Sequence, residues 1–282
     1  MTPQPLTFTQ LILRRFLRHR LAVLGGAVFV LLIMSAVLAP LISPYPVDET
    51  DLVNIAQSPS PVHLLGTDDL GRDLLTRLLH GGRISLLVGI ASSLISTAIG
   101  ILIGALAGFY GGAVDDALMR FVDVLLAFPN IFLLLILFSV IGTSLAVVIA
   151  FLGVFGWMYL ARVIRGEMLA LREKNFVEAA RAQGASSLRL IVRHLLPNVV
   201  GVIIVNTTLQ IAYNLLAEGI LSYLGFGVPA STPTWGNILY SAASYARSAP
   251  WYVLFPGSLL TLSILAVNFV GDGLRDALDP RG

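Results

Sequence analysis

The polar side chains Asn206, Thr207, Gln210, Asn214 and Glu218 punctuate a largely apolar stretch from Val199 to about Ser222. Asn206, Gln210, Asn214 and Glu218 recur at every fourth position. On a helix turning about 100° per residue each step drifts by about 40°, so these four, with Thr207, share an arc of about 120°. Leucines and valines occupy the rest of that surface. Amide and carboxylate groups are costly against lipid, so this face meets protein or water. Two roles suit it: the wall of a polar path, or hydrogen bonding across a helix interface. Glu218 is the only charged residue well inside an apolar run. It suits contact with a substrate amine or a proton, and equally a structural carboxyl held by hydrogen bonds.

Other chemistry is excluded by residue type. There is no cysteine, so there is no thiolate site, no cysteine nucleophile and no disulfide framework. His19, His63, His80 and His194 all lie outside the apolar runs, which leaves no buried Ser–His dyad and no intramembrane zinc protease. The single lysine, Lys174, follows no glycine-rich loop, so there is no Walker A sequence. No cofactor and no metal are expected in this chain. If ATP drives it, another chain hydrolyses the ATP.

The elements that must position these residues are membrane spans. Of 282 residues, 56% are hydrophobic and 12% charged, about half the charge of an ordinary soluble domain. Mean hydropathy is +0.86. The chain reads as an all-α polytopic membrane protein, one domain, with no role at nucleic acid and no cleavable signal. Residues 1–20 carry Arg14, Arg15, Arg18 and Arg20 among apolar residues. They read as a basic amphipathic helix on the cytoplasmic leaflet, or as an orientation signal. A first span over 21–43 follows. The loop 44–83 opens acidic, then offers Thr67 or Asp68 as the cap of a helix with Leu70, Leu74, Leu75, Leu78 and Leu79 on one face. That helix is expected to lie flat on the outer surface, with Asp73 and Arg77 paired at i,i+4.

The rest, 84–282, reads as a core of five further spans. Ser96, Gly100, Gly104 and Gly108 form a small-residue stripe that lets a neighbouring helix approach closely. Tyr110 to Asp116 reads as a turn. Val124 to Ala161 is 38 uncharged residues, two spans joined by a tight turn at Gly142-Thr143-Ser144. Residues 223–250 read as an external loop, followed by a sixth span anchored at the interface by Trp251 and Tyr252. Asp272 and Pro280 are expected to bound a short tail helix.

Between the fourth and fifth spans lies a polar stretch, 175–198: NFVEAARAQGASSLRLIVRHLLPN. Its first half suits a helix with a small face at Ala179, Ala180 and Ala182. Gly184 ends or kinks that helix. Ser186 or Ser187 caps a second, with Leu188, Ile191, Val192 and Leu195 as its apolar face, and Pro197 stops it. Lys and Arg divide unequally between the two sides. Four lie in the N-terminal segment, one is Arg120, seven lie from Arg162 to Arg193 and two in the tail, 14 in all against four elsewhere. The positive-inside rule therefore puts this stretch and both termini in the cytoplasm.

Several motifs carry a family resemblance. Glu178-Ala179-Ala180, then Gly184, then His194-Leu195-Leu196-Pro197 resembles the EAA loop of ATP-binding-cassette importer permeases. Gly66-Thr67-Asp68 with Gly71-Arg72-Asp73, and then Gly82-Arg83-Ile84-Ser85, resembles the C-type subunit of the peptide/nickel branch. Arg120, Asp123, Phe128 and Pro129, the LLAEGILSYLGFG segment around Glu218 and the tail GDGLRDALDPRG are similar to the same group. The resemblance spans nearly the whole chain. It implies a type I importer permease fold with six transmembrane helices in the inner membrane, forming half of a translocation path. It implies a heterodimer with a B-type permease, two cytoplasmic ATP-binding subunits that hold ATP and Mg, and an extracytoplasmic binding protein. It implies that the EAA loop docks on an ATPase. It implies uptake of di- or oligopeptides, with nickel or another small solute as the alternative. A reading from another class is a proton-coupled secondary transporter using Glu218.

Overall fold

The computed structural model describes residues 8–278. Among them the chain is helices and loops, with one isolated bridge between Thr67 and Asp73. A first helix, α1 (Phe8–Arg18), leads into α2 (Arg20–Val37), whose N-terminus is capped by His19 Nδ1 accepting from Ala22 N–H at 3.1 Å. A single turn, α3 (Ala39–Ile42), ends this arm.

The centre of the molecule is α4 (Leu74–Tyr110), 37 residues without a break. Neither Thr67 nor Asp68 caps it. Asp73 does, accepting from Thr76 N–H at 2.8 Å. The expected flat helix is therefore the first part of the second span itself, with Leu74 and Leu78 fully buried. Arg77 does not pair with Asp73; its guanidinium lies 3.6 Å from Asp68 and 3.8 Å from Asp48.

The small-residue stripe of α4 meets α7 (Leu145–Phe155) and α8 (Met158–Arg172). Ser96 Oγ donates to Gly153 O at 2.9 Å. Below it, Gly100 faces Leu160, Gly104 faces Ala161 and Ile164, and Gly108 faces Arg165 and Met168. Between these partners the chain makes α5 (Gly112–Leu126) and α6 (Asn130–Ile141), bent by 77° at Ala127-Phe128-Pro129. Asp115 is inside α5, not in a turn, and its carboxylate takes both Nε and Nη2 of Arg165 at 2.5 and 2.6 Å. Alone, α6 reaches about 18 Å, well short of a bilayer core of about 30 Å. Five helical stretches are long and apolar enough to cross, and six if the bent pair counts as one.

After α8 come α9 (Asn175–Ala182), a short α10 (Ser187–Arg189), a π-helical stretch over Leu190–Leu195 and α11 (Leu196–Tyr223). Pro197 does not stop this helix. The π stretch widens the turn so that Leu196 N–H bonds to Ile191 O, and Pro197 occupies the first turn of α11, where a missing N–H is tolerated. Ser187–Tyr223 is thus one rod. Residues 223–250 include an unforeseen helix, α12 (Trp235–Ala242), with a Thr234/Asn237 capping box. Tyr252 is not an interfacial anchor: it is buried and donates to Asp69 Oδ1 at 2.9 Å. The last helix, α13 (Pro250–Leu278), runs unbroken through Asp272, so there is no separate tail helix; Pro280 lies outside the described residues.

The contacts define two ends. At one, His19 Nε2 lies 3.6 Å from Asp276, Phe16 lies against Gly273, and Gly201 of α11 lies against Leu278. Both ends of the described chain and the central polar loop therefore share one face of the bundle. At the other end, Trp235, Ile238 and Tyr252 close over Leu74 and Leu78.

Candidate functional site

The central loop is built as a helix, a reversal and a second helix. Gly184 has φ +82, a left-handed conformation that glycine adopts at no steric cost. Gly184 N–H bonds to Arg181 O at 3.0 Å and Ala185 N–H to Ala180 O at 3.1 Å, the paired bonds of a Schellman ending. Ser186 Oγ caps the second helix, accepting from Arg189 N–H at 3.4 Å. Val177 is the loop's buried pin, packed in a cluster with Met168, Leu190, Ile191 and Leu195. The expected apolar face is only half right. Leu188 and Val192 are 71% and 55% exposed, while Leu190 is buried in their place. The π stretch explains this, because side chains five apart, Leu190 and Leu195, then share a side. Glu178, Ala179, Gly184 and Pro197 are exposed; Ala180, His194 and Leu196 are half-buried.

The Gly66–Asp73 motif is a self-bonded turn. Asp68 accepts from Leu70 N–H and Arg72 N–H at 2.9 Å each and from Arg72 Nε at 2.6 Å. Thr67 Oγ1 donates to Asn54 O at 2.5 Å and accepts from Gln57 N–H at 2.8 Å. Gly71, at φ +72, lies so close to Asp51 that a Cβ would fall 1.8 Å from the Asp51 carbonyl oxygen. A Cβ on Gly66 would likewise clash with Gln57 O at 2.3 Å. Asp73 meets His63 Nδ1 at 3.0 Å. These contacts lock 51–73 onto the start of α4.

The polar stripe of α11 divides in two. Its C-terminal half is sealed against α4: Asn214 and Glu218 are both 0% exposed. Asn214 Nδ2 donates to Ser92 and Ser93 Oγ at 2.8 and 3.0 Å. Glu218 accepts from Ser85 Oγ at 3.0 Å and from Ser222 Oγ at 2.7 Å. Ser85 in turn accepts from Trp235 N–H at 3.2 Å, which ties α12 to the same node. These partners belong to this chain, so neither residue faces a path or a second subunit in this conformation.

The N-terminal half opens on a cavity of about 310 Å³. Asn206, Gln210 and Tyr213 line it from α11, Ser96 and Thr97 from α4, Asn130 from α6, and Phe155, Gly156 and Tyr159 from the α7–α8 break. Thr207 sits at its edge, 2.9 Å from Thr97 Oγ1. No charged side chain lines the cavity. Gly156 is there for space, since a Cβ would fall 2.5 Å from Ser96 Oγ and 2.9 Å from Gln210 Nε2. Asn130, Tyr159 and Tyr213 escaped the sequence reading; the only signal for Asn130 was its place directly after Pro129, where the α5–α6 bend turns it inward.

This fold is that of a multi-pass membrane protein with a polar cavity between its helices and an exposed helix–turn–helix loop at the face shared by both ends of the described chain. Sequence comparison places that class. The pattern of the family described as binding-protein-dependent transport system inner membrane component matches residues 100–281, and that of the N-terminal TM domain of oligopeptide transport permease C matches 7–59. The chain belongs to this family of transport-system membrane components, among its C-type permeases. It is 44% identical to a Brucella suis protein provisionally named a peptide permease protein, covering 95% of this chain and 89% of that one. It is 38% identical to the oligopeptide transport system permease protein OppC of Bacillus subtilis (95% and 88% covered) and 40% identical to OppC of Escherichia coli K12 (95% and 89%).

Proposed function

We propose that this chain is the C-type permease subunit of an ATP-driven importer of di- and oligopeptides, contributing half of the translocation path. The substrate class follows the names of its relatives, with nickel or another small solute as the alternative within the family. The chain crosses the inner membrane six times, the bent α5–α6 pair serving as one crossing, with both termini in the cytoplasm. Residues 1–20 lie on the membrane, 21–43 form the first span, and 44–83 run outside up to and into the start of α4. The core occupies 84–282, with the coupling loop at 175–198 and an outer cover at 223–250. Its partners are a B-type permease, two cytoplasmic ATPases that carry ATP and Mg, and an extracytoplasmic binding protein.

One observation carries the coupling assignment. The exposed part of the loop (Phe176, Glu178, Ala179, Leu188, Val192) joins the cavity wall (Asn206, Gln210) through the single rod Ser187–Tyr223. At 1.5 Å per residue a 37-residue rod is about 55 Å long, so a push on the loop is delivered mechanically to the cavity. The secondary-transporter reading loses support from the same geometry, because Glu218 is sealed and each of its carboxyl oxygens accepts from a serine. The test is reconstitution. The complete complex should take up a tripeptide only with ATP and binding protein, and the lone chain should neither hydrolyse ATP nor transport. Uptake by the lone chain on an ion gradient would reverse the assignment.

A further inference from the structure

The direction of each hydrogen bond around the cavity is fixed by the helix backbones. Ser92 Oγ donates to Val88 O at 2.6 Å and Ser93 Oγ to Gly89 O at 2.7 Å, so both oxygens face Asn214 as acceptors. Asn214 must therefore turn its amino group to the serines and its Oδ1 to Gln210. Gln210 Nε2 answers that oxygen at 2.9 Å, which leaves Gln210 Oε1 as the free end of the chain. Asn206 donates one N–H of its amino group to Val202 O at 2.8 Å, leaving its own Oδ1 free. Asn130 Oδ1 is buried and has no partner among the described residues. Thr207 Oγ1 donates to Ile203 O at 2.8 Å, so the Thr97–Thr207 bond needs the Thr97 proton. The cavity thus offers two uncharged carbonyl acceptors, Asn206 and Gln210, beside the side chains of Asn130, Phe155, Tyr159 and Tyr213.

Two free carbonyl oxygens with aromatic walls and no cation among the lining suit a primary ammonium group, which brings three N–H donors and a positive charge. A carboxylate would find only the second N–H of each amide and the tyrosine hydroxyls, and no positive charge. The absence of a countercharge keeps such binding weak, as passage requires, since a site on a path must also release its occupant. We infer that this cavity is a way-station for a primary ammonium group of the solute, normally the amino end of a peptide; this rests on the reading of the cavity as part of the translocation path.

The test uses the complete importer in proteoliposomes with tri-alanine and N-acetyl-tri-alanine, delivery by the binding protein being measured separately and divided out. Wild type should take up the free amine about tenfold faster, the worth of a charge-assisted hydrogen bond. In Gln210→Met and Asn206→Leu, checked for intact copurification, the ratio should fall towards one. A C-terminally amidated tri-alanine should behave like tri-alanine. An N-acetylated peptide with a central lysine separates the sources: uptake restored by its side chain shows that any primary ammonium is accepted, and no restoration shows that the α-amine is the occupant. A wild-type ratio of one overturns the inference whatever the variants do. If both variants slow the two peptides equally, ammonium recognition is wrong and the cavity stays on the path. If neither peptide is affected, the path reading fails with it.

Discussion

Gly104 lies on the backbone of Ala161: a Cβ at residue 104 would fall 2.5 Å from the Ala161 carbonyl oxygen and 2.8 Å from Ile164 Cβ. Backbone cannot yield as a flexible side chain can, so any larger residue separates α4 from α8. Gly104→Leu should cost at least about 1–3 kcal/mol of packing and reduce the amount of folded chain recovered from membranes. Gly166→Ala is the control, because nothing lies within 4 Å of a Cβ there. Equal recovery of the two variants in a detergent thermal-stability assay would show that the α4–α8 seam is looser than this.

The Asp115–Arg165 pair joins α5 to α8 through two parallel bonds, with Asp115 nearly buried and Arg165 about one-third exposed. Two-pronged geometry is a property of guanidinium that lysine lacks. Arg165→Lys should therefore retain only part of the stability lost in Arg165→Ala. With one partner at the surface the full loss should be about 1–2 kcal/mol, below the 3–5 of a sealed pair. A double-mutant cycle with Asp115→Ala, read as melting temperature in detergent, should show strong coupling; simple additivity would mean that the pair carries no net energy.

Topology can be tested directly because the chain has no cysteine. Ser58 and Ser231 are exposed at the end away from the His19–Asp276 contact, and Ser187 is exposed on the central loop. Cysteines at Ser58 and Ser231 should react with a membrane-impermeant thiol reagent added outside intact cells, and one at Ser187 only after permeabilisation. Outside labelling of Ser187 would reverse the orientation and remove the loop from any cytoplasmic ATPase.

These positions also show which features could be read from residues alone. The glycine stripe on α4, the turn at Gly142 and the reversal at Gly184 were legible because small residues at fixed spacing act locally. The helix cap was not. Thr67, Asp68 and Asp73 are all good capping residues within seven positions, and the choice is made by which of them other partners already hold. Thr67 is taken by Asn54 and Gln57, and Asp68 by Arg72, which leaves Asp73 for Thr76. Helix α12 escaped because its stability comes from Ser85 and Leu78, about 150 residues away, which bind Trp235. Pro197 was misread as a stop because the π stretch that accommodates it depends on Leu190 and Leu195 packing together against α8. In the stripe, spacing identified the polar face of α11, but only the serines of α4 show that Asn214 and Glu218 are sealed while Asn206 and Gln210 are open.

Gly184 offers the sharpest test of the coupling loop, because conformation and space separate there. Its φ is +82, yet nothing lies within 4 Å of where a Cβ would be. A substitution therefore acts through backbone strain alone and not by collision. Asparagine tolerates the left-handed region, alanine resists it by about 1–2 kcal/mol, and a β-branched valine resists it more. Uptake by the complete importer should thus fall in the order glycine, asparagine, alanine, valine. A local penalty of about 1–3 kcal/mol is too small to unfold a bundle of packed spans, so membrane insertion should stay near normal throughout. In Gly184→Val the ATPases should either detach or hydrolyse ATP without uptake. Glu178→Ala should be milder, since it removes one exposed charge and leaves the reversal intact. The deciding measurement pairs peptide uptake with ATPase retention in the same membranes. Uptake that ignores the substituent at 184 would mean that the shape of this reversal is not what the ATPase grips.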